Sequence, residues 1–222
     1  MRKYIAELLG TFVLVFVGCG TVTFASNAAG SVGVVLAFGL GLMISIYTFG
    51  PISGSHVNPA VTLGMLCSGR MSGKEAGKYI AAQFIGATLA ALVILLIAKG
   101  MAGGYSATNG LGQNGYGVGY MRGFNVWSAI LFEVIATYLF VRLILEVTAS
   151  DIKTGGLIIG LALSALLILG LFVTGGSLNP ARSFGPALVV GGKALSQVWL
   201  FLVAPSIGGA LAGLCYKYSL KK

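Results

Sequence analysis

The chain has 222 residues, of which 57% are hydrophobic and 9% are charged, and its mean hydropathy is +0.95. A soluble domain cannot cover this much apolar surface, so the composition indicates an integral membrane protein. The net charge of +9 does not indicate nucleic-acid binding, because the basic residues are scattered at the ends of apolar segments rather than clustered with aromatic residues.

The first predicted element is an apolar segment over 4–24. Its opening letters, MRKYIAELLGTFVLVFVG, have the basic start of a secretory signal, but the apolar run contains Glu7 and lacks a small-x-small cleavage site. We therefore predict that it is retained as a membrane span. Cys19, Cys67 and Cys215 sit in apolar segments without C-x-x-C spacing, which favours buried thiols over disulfides or metal ligands.

Further along the chain, turn-forming residues separate apolar segments of two lengths. A hydrocarbon layer of about 30 Å needs about 20 helical residues, and the shorter segments would cover only about half of it. The two short segments are 58–69 and 179–190. The six long segments are 4–24, 31–49, 77–98, 124–146, 155–173 and 195–217. The sequence thus predicts an all-α membrane protein with six transmembrane helices and two half-membrane helices.

The two halves of the chain resemble each other. QFIGATLAAL at 83–92 matches PSIGGALAGL at 205–214 at five positions, with a fixed offset of 122 residues. Two Asn-Pro-Ala triplets are 121 residues apart, and Glu7 and Glu133 hold corresponding places in the first segment of each half. Three matches in the same order indicate an internal repeat. The glycine and alanine residues of GATLAAL and GGALAGL suit close helix packing.

The repeat predicts one channel domain over 1–222. It consists of repeat 1 at 1–102, a glycine-rich connecting loop at 103–123 and repeat 2 at 124–222. Each repeat holds three full spans, an odd number, so the second repeat must enter the membrane inverted relative to the first. Inverted 3+3 repeats with interrupted helices at their centre are typical of transport proteins.

Basic residues predict that both termini face the cytoplasm. In this orientation Lys99, Arg122 and Lys193 lie outside, while Arg182 belongs to the protein core. The ten cytoplasmic basic residues are Arg2, Lys3, Arg70, Lys74, Lys78, Arg142, Lys153, Lys217, Lys221 and Lys222. We expect a multi-pass protein of a microbial cell (plasma) membrane.

Each short segment begins with an Asn-Pro-Ala triplet, Asn58–Pro59–Ala60 or Asn179–Pro180–Ala181. Asn directly before Pro at the start of an apolar run is a helix N-cap followed by proline at the first helical position. Because the repeats are inverted, the two short helices should enter from opposite faces and meet near the midplane. Irregular backbone is tolerated at that depth only where it is buried in protein or lines an aqueous cavity, so the triplets predict a pore.

These motifs resemble the aquaporin (major intrinsic protein) family. The resemblance rests on AELLGTF at 6–12, SGSHVNPAVTLG at 53–64 and GGSLNPARSFGPAL at 175–188, and it extends over nearly the whole chain. The spacing alone predicts only a channel or transporter with two half-helices. The resemblance implies the aquaporin fold and a passive channel of bacterial or archaeal type that conducts water and small neutral solutes while excluding ions and protons. It also implies a homotetramer in the lipid bilayer, which the sequence itself supports only through the glycine- and alanine-rich faces of GATLAAL and GGALAGL.

Asn58 and Asn179 are expected to donate hydrogen bonds to a passing water oxygen as well as to cap their helices. Two helix N-termini aimed at one point carry about half a positive charge each. Cations and hydronium are thereby repelled without a charged side chain at the centre. Arg182 follows the second triplet, and the resemblance implies that it lines the outer constriction, donates to solutes and repels cations.

Alignment to the family places Phe38, Leu167 and Gly176 in the selectivity filter with Arg182. Water channels usually have histidine where this chain has Leu167, so the resemblance implies a wider, less polar filter; the alternative is that Phe38 and Leu167 face lipid or the core. Dedicated glycerol channels typically have aspartate at Ser183, and water channels tend to have an aromatic pair where this chain has Phe-Leu at 201–202. The prediction is a water channel with a broadened filter. The alternative is an aquaglyceroporin-type facilitator for glycerol, hydrogen peroxide, ammonia or neutral metalloid acids.

Three further polar residues are placed in the apolar segments or beside the first triplet. His56, the only histidine, is expected to line the cytoplasmic half of the pore. Glu7 and Glu133 could serve as a proton relay or as buried braces. In the family these carboxylates accept hydrogen bonds from the backbone N–H groups of the half-helix loops, so a structural brace is predicted.

Other classes of protein fit the sequence less well. An enzyme would need a nucleophile and base, but His56 has only Ser55 beside it and no acidic partner, so no catalytic residue, metal or cofactor is predicted. A coupled transporter would need intramembrane charges beyond Glu7, Glu133 and Arg182. A structural junction protein would show no permeability at all.

Overall fold

The computed structural model describes residues 1–106, 110–150 and 152–219, and every regular element in these ranges is a helix. The predicted all-α class is therefore confirmed. The sequence predictions for 107–109 of the connecting loop and for Lys221 and Lys222 concern residues outside the described ranges. In chain order the helices are α1 (Arg2–Ser53), α2 (Pro59–Cys67), α3 (Gly73–Ala98), α4 (Val126–Val147), α5 (Gly155–Thr174), α6 (Pro180–Val190) and α7 (Gly192–Ser219).

The first two predicted spans form a single 52-residue element, α1, which is broken at Gly30. Gly30 has φ 63° and ψ −178°, a conformation that is open to glycine because it has no Cβ. Beyond this residue the chain folds back, since the hydroxyl of Ser45 donates to the carbonyl oxygen of Gly10 at 2.8 Å. Helical structure thus continues through most of 25–30, where the segment boundaries predicted a loop.

Five helices in the described part of the chain, α1, α3, α4, α5 and α7, are long and apolar enough to cross a membrane. The break in α1 divides that helix into two crossing arms, so the predicted six spans are present. The remaining helices, α2 and α6, have 9 and 11 residues. At 1.5 Å per residue they measure roughly 14 and 17 Å, about half the hydrocarbon layer.

Each half-helix packs on the last long helix of the opposite half. A Cβ placed on Gly209 of α7 would lie 2.2 Å from the carbonyl oxygen of Ala60 in α2. Likewise, a Cβ on Gly185 of α6 would lie 2.4 Å from the carbonyl oxygen of Ala87 in α3. The small residues of GATLAAL and GGALAGL are therefore used for close packing inside the chain.

Candidate functional site

The two Asn-Pro-Ala triplets meet tip to tip inside the helix bundle. Nδ2 of Asn58 donates to the carbonyl oxygen of Leu178 at 2.8 Å, and Nδ2 of Asn179 donates to that of Val57 at 2.9 Å. Each asparagine Oδ1 accepts the backbone N–H two residues later and so caps its half-helix. Because an amide nitrogen carries two hydrogens, each asparagine has a second N–H that these bonds do not use.

The loops that lead to the two asparagines have matching backbone conformations. Val57 has φ 45° and Leu178 has φ 53°, which is the left-handed region that a β-branched or bulky residue rarely adopts. Asn58 and Asn179 then return to extended backbone, with φ −158° and −150°. Such strained backbone persists only where surrounding groups hold it in place.

In the first loop, the holding group is the carboxylate of Glu7. It accepts the backbone N–H of His56 at 2.9 Å, that of Val57 at 2.7 Å and the hydroxyl of Ser53 at 2.7 Å. Glu7 is fully buried. Hydrogen bonds from neutral donors therefore take the place of water around this carboxylate.

Glu133 does the same for the second loop. It accepts the N–H groups of Ser177 and Leu178, both at 2.9 Å, and the hydroxyl of Thr174 at 2.7 Å. Glu133 is also fully buried. The two carboxylates thus occupy equivalent places, and each accepts two backbone N–H groups and one hydroxyl of the loop beside it, as a structural brace would.

The half-helix tips border a cavity inside the helix bundle. The loop residues along it include His56, Asn58 and Asn179, while the proline and alanine of each triplet lie behind the cavity wall. Most of the other lining residues are apolar: Leu14, Leu42, Ile46, Val61, Met65, Phe140, Ile144, Ile159 and Leu163. The cavity therefore has few polar groups apart from those of the two loops.

The predicted selectivity-filter residues Phe38, Leu167, Gly176 and Arg182 all line this cavity. Phe38 and Arg182 also line a second cavity, so they mark the junction between the two. Cζ of Arg182 lies 4.6 Å from the centroid of the Phe38 ring, within cation–π range. A guanidinium packed on an aromatic ring therefore separates the two cavities.

Arg182 is 3% exposed and has hydrogen-bond donors to spare. Its Nη1 donates to the carbonyl oxygen of Gly112 at 2.7 Å. Its Nε is buried and has no hydrogen-bond partner among the described residues. A guanidinium carries five N–H donors and a fixed positive charge, and the Arg182 side chain borders the cavity.

Leu167 and Gly176 lie against each other in the same ring. A Cβ placed on Gly176 would lie only 2.4 Å from Cδ2 of Leu167, and the φ of 60° at Gly176 also disfavours a side chain there. The leucine therefore occupies space that a larger residue at 176 would need. This part of the filter is aliphatic and contributes no side-chain donor.

His56 lies along the loop that follows α1. Its Nδ1 is 3.1 Å from Oγ1 of Thr62, and its ring centroid is 5.1 Å from that of Tyr79. The histidine is thus held on one side by a hydroxyl and on the other by an aromatic ring, while it still borders the cavity.

The sequence analysis missed a group of residues in the connecting loop. Asn114 is 3% exposed and bonds to Thr174, before the loop that leads into α6, and to Ser183, in the first turn of α6. The hydroxyl of Tyr120 donates to the carbonyl oxygen of Gln113 at 3.1 Å, and burial raises the pKa of Tyr120 to about 12, which keeps the donor hydrogen in place at neutral pH. A polar, glycine-rich loop has no periodicity that would reveal such contacts; the only signal was its unusual length.

The chain is similar to a known protein family and to several of its members over nearly its whole length. The sequence profile of the family described as "Major intrinsic protein" matches residues 1–216. Aquaporin Z of Rhodopseudomonas palustris is 45% identical over 222 residues, which covers 97% of this chain and 92% of that protein. Glycerol uptake facilitator protein-like 6 of Lactiplantibacillus plantarum is 46% identical over 220 residues, with 97% and 96% coverage.

A solved structure shows the same fold. The X-ray structure of the aquaglyceroporin from Plasmodium falciparum superposes with a TM-score of 0.86 and covers 99% of this chain and 96% of that chain. Sequence identity in this comparison is 24%, so the likeness concerns the fold alone.

Proposed function

The chain belongs to the major intrinsic protein family, and on that premise we propose that it is a passive membrane channel for water and other small neutral solutes that excludes ions and protons. The observation that supports this most directly is the single cavity lined by Asn58, Asn179 and Arg182. A passive channel needs no catalytic residue, metal or cofactor, and we propose no enzymatic activity.

Exclusion of ions follows from the direction of the half-helices. The N-termini of α2 and α6 converge at Asn58 and Asn179, and each contributes about half a positive charge. A water molecule at this point accepts from both asparagines, so its own hydrogens point away from the centre along the file. A continuous chain of water hydrogen bonds is thereby interrupted, and a cation meets repulsion in place of the coordination it needs.

Solute size and polarity are set at the constriction. Arg182 supplies donors and a positive charge, Phe38 supplies a flat apolar face, and Leu167 with Gly176 leaves an aliphatic side. This composition favours a broadened filter over one that passes water alone. The second candidate, a facilitator mainly for glycerol, hydrogen peroxide, ammonia or neutral metalloid acids, is favoured by Leu167 and disfavoured by Ser183.

Stopped-flow light scattering on proteoliposomes tests the channel. We expect water flux well above that of empty vesicles, with measurable glycerol flux. Arg182→Val should conduct water but raise proton conductance about tenfold, equivalent to lowering the barrier by about 1.4 kcal/mol. Arg142→Val is the matched control, because Arg142 pairs with Glu146 on the exposed surface. Absence of water and glycerol flux in the wild type would instead favour a structural protein.

We further propose that both termini are cytoplasmic in a plasma membrane. The basic residues at one end of the bundle support this, since Arg70 donates to the carbonyl oxygens of Leu145 and Thr148 and so lies beside the end of α4. An affinity tag fused after residue 222 should resist protease added to intact cells and be cut after lysis. Cleavage of the tag in intact cells would show that the C-terminus faces outward and would contradict the proposed orientation.

We also propose a homotetramer, on family membership alone, with a complete pore in each protomer. Every pore residue described above lies in one chain, so assembly is not required to form the channel. Native mass spectrometry from a mild detergent should give four times the mass of the 22.7 kDa chain. A dominant monomer that still conducts water would contradict the tetramer without affecting the channel.

A further inference from the structure

The first half of the chain ties its pore loop to its half-helix through Gln83. Nε2 of this α3 side chain donates to Oε2 of Glu7 at 2.7 Å and to Oγ1 of Thr62 at 3.0 Å. Thr62 Oγ1 lies 3.1 Å from the carbonyl oxygen of Asn58, to which it donates. One buried amide thus joins the brace to the first turn of α2.

The second half cannot make this connection in the same way. At the offsets of the internal repeat, Thr62 corresponds to Ser183, and Gln83 corresponds to Pro205 of α7. Proline has neither a side-chain donor nor a backbone N–H. The hydroxyl of Ser183, in the first turn of α6, is hydrogen-bonded to that of Ser177 in the preceding loop, so an amide partner for it must come from elsewhere.

Asn114 of the connecting loop provides that partner. Its Oδ1 accepts the hydroxyl of Ser183 at 2.8 Å, and its Nδ2 donates to the carbonyl oxygen of Thr174 at 3.0 Å. Thr174 is the residue whose hydroxyl binds Glu133. One buried amide again joins the residues that bind the brace to the half-helix. In this half of the chain the amide belongs to the connecting loop rather than to a long helix.

The position of Asn114 connects it to the filter. Asn114 bonds to Thr174, two residues before Gly176, and to Ser183, which directly follows Arg182. Its two bonds therefore lie next to both of these predicted filter residues. Gly112, two residues earlier, accepts from Arg182 itself. The loop therefore holds the residues that set which solutes pass.

We propose that Asn114 is a positioning residue for the outer constriction and that it takes, in the second half, the place that Gln83 has in the first. This inference rests on the proposed channel function. It predicts that loss of Asn114 loosens the ring around Arg182 and Gly176, while the meeting point of Asn58 and Asn179 keeps its own mutual bonds.

The test measures water and glycerol permeability per channel in proteoliposomes of wild type, Asn114→Ala, Ser183→Ala and the double variant. We expect the glycerol-to-water ratio to rise about threefold or more in Asn114→Ala. The double variant should change this ratio by less than the sum of the two single variants, because the bond between Asn114 and Ser183 is lost in both. Asn125→Ala is the matched control, since Asn125 only caps α4 at the exposed surface.

Each outcome is decisive. An unchanged ratio in Asn114→Ala, or effects of the two single variants that simply add, would overturn the proposal while the channel function stands. A wild type without flux would instead overturn the channel itself. If Asn114→Ala does not fold, Asn114→Asp retains the acceptor for Ser183 and removes the donor to Thr174, and its ratio is read in the same way.

Discussion

Replacing Leu167 by histidine should lower glycerol permeability about tenfold while leaving water permeability within about twofold of the wild type. Leu167 lies against Gly176 and fills part of the ring with aliphatic atoms only. An imidazole would place a second polar group near Arg182 and remove apolar surface from the side that Leu167 now forms. Water can exchange hydrogen bonds with both groups, whereas the carbon chain of glycerol loses its apolar surface there.

Parallel water and glycerol gradients in stopped-flow measurements check this expectation. Leu167→Met is the matched control, because it nearly conserves volume and adds no hydrogen-bond donor. It should leave the glycerol-to-water ratio close to that of the wild type. Equal ratios in Leu167→His and wild type would show that Leu167 does not line the narrowest point.

Replacing Glu133 by glutamine should destabilise the folded channel by about 2–6 kcal/mol, a large part of the stability of an ordinary domain. The carboxylate accepts three donors at 2.7–2.9 Å, from the hydroxyl of Thr174 and the backbone of Ser177 and Leu178. Glutamine keeps one oxygen and turns an amide group toward the remaining donor. The loop that carries left-handed Leu178 then loses the contacts that compensate its strain.

Thermal unfolding in detergent, followed by size-exclusion chromatography, measures this loss. Glu7→Gln should behave alike because Glu7 binds the equivalent donors. Glu146→Gln is the control, since that carboxylate belongs to an exposed ion pair and such pairs contribute about 0–1 kcal/mol. Wild-type thermal stability in Glu133→Gln would contradict the brace.

The half-helices were predictable because their signals are local. An asparagine followed by proline within an apolar run specifies a helix start whatever surrounds it, and α2 and α6 begin at the expected prolines. Gly30 was harder to interpret. The same residues that suggested a loop at 25–30 continue the helix on both sides of a single left-handed glycine.

The filter and its support could not be predicted from spacing. Phe38 and Leu167 are apolar residues within apolar spans and are only 4% and 3% exposed. Nothing in the sequence distinguishes them from ordinary core residues, and only the family resemblance indicated them. Asn114 gave no signal, because its partners Thr174 and Ser183 lie 60 and 69 residues away. Polar contacts of this range depend on the finished fold rather than on a pattern within one segment.

The packing of α2 on α7 gives the channel an order of assembly. Ala60 is synthesised well before Gly209 of α7, which lies against its carbonyl oxygen. Until α7 is in place, α2 can pack only on the other helices it contacts, such as α3 and α4. The first half-helix therefore reaches its final packing only after most of the second half of the chain has been made.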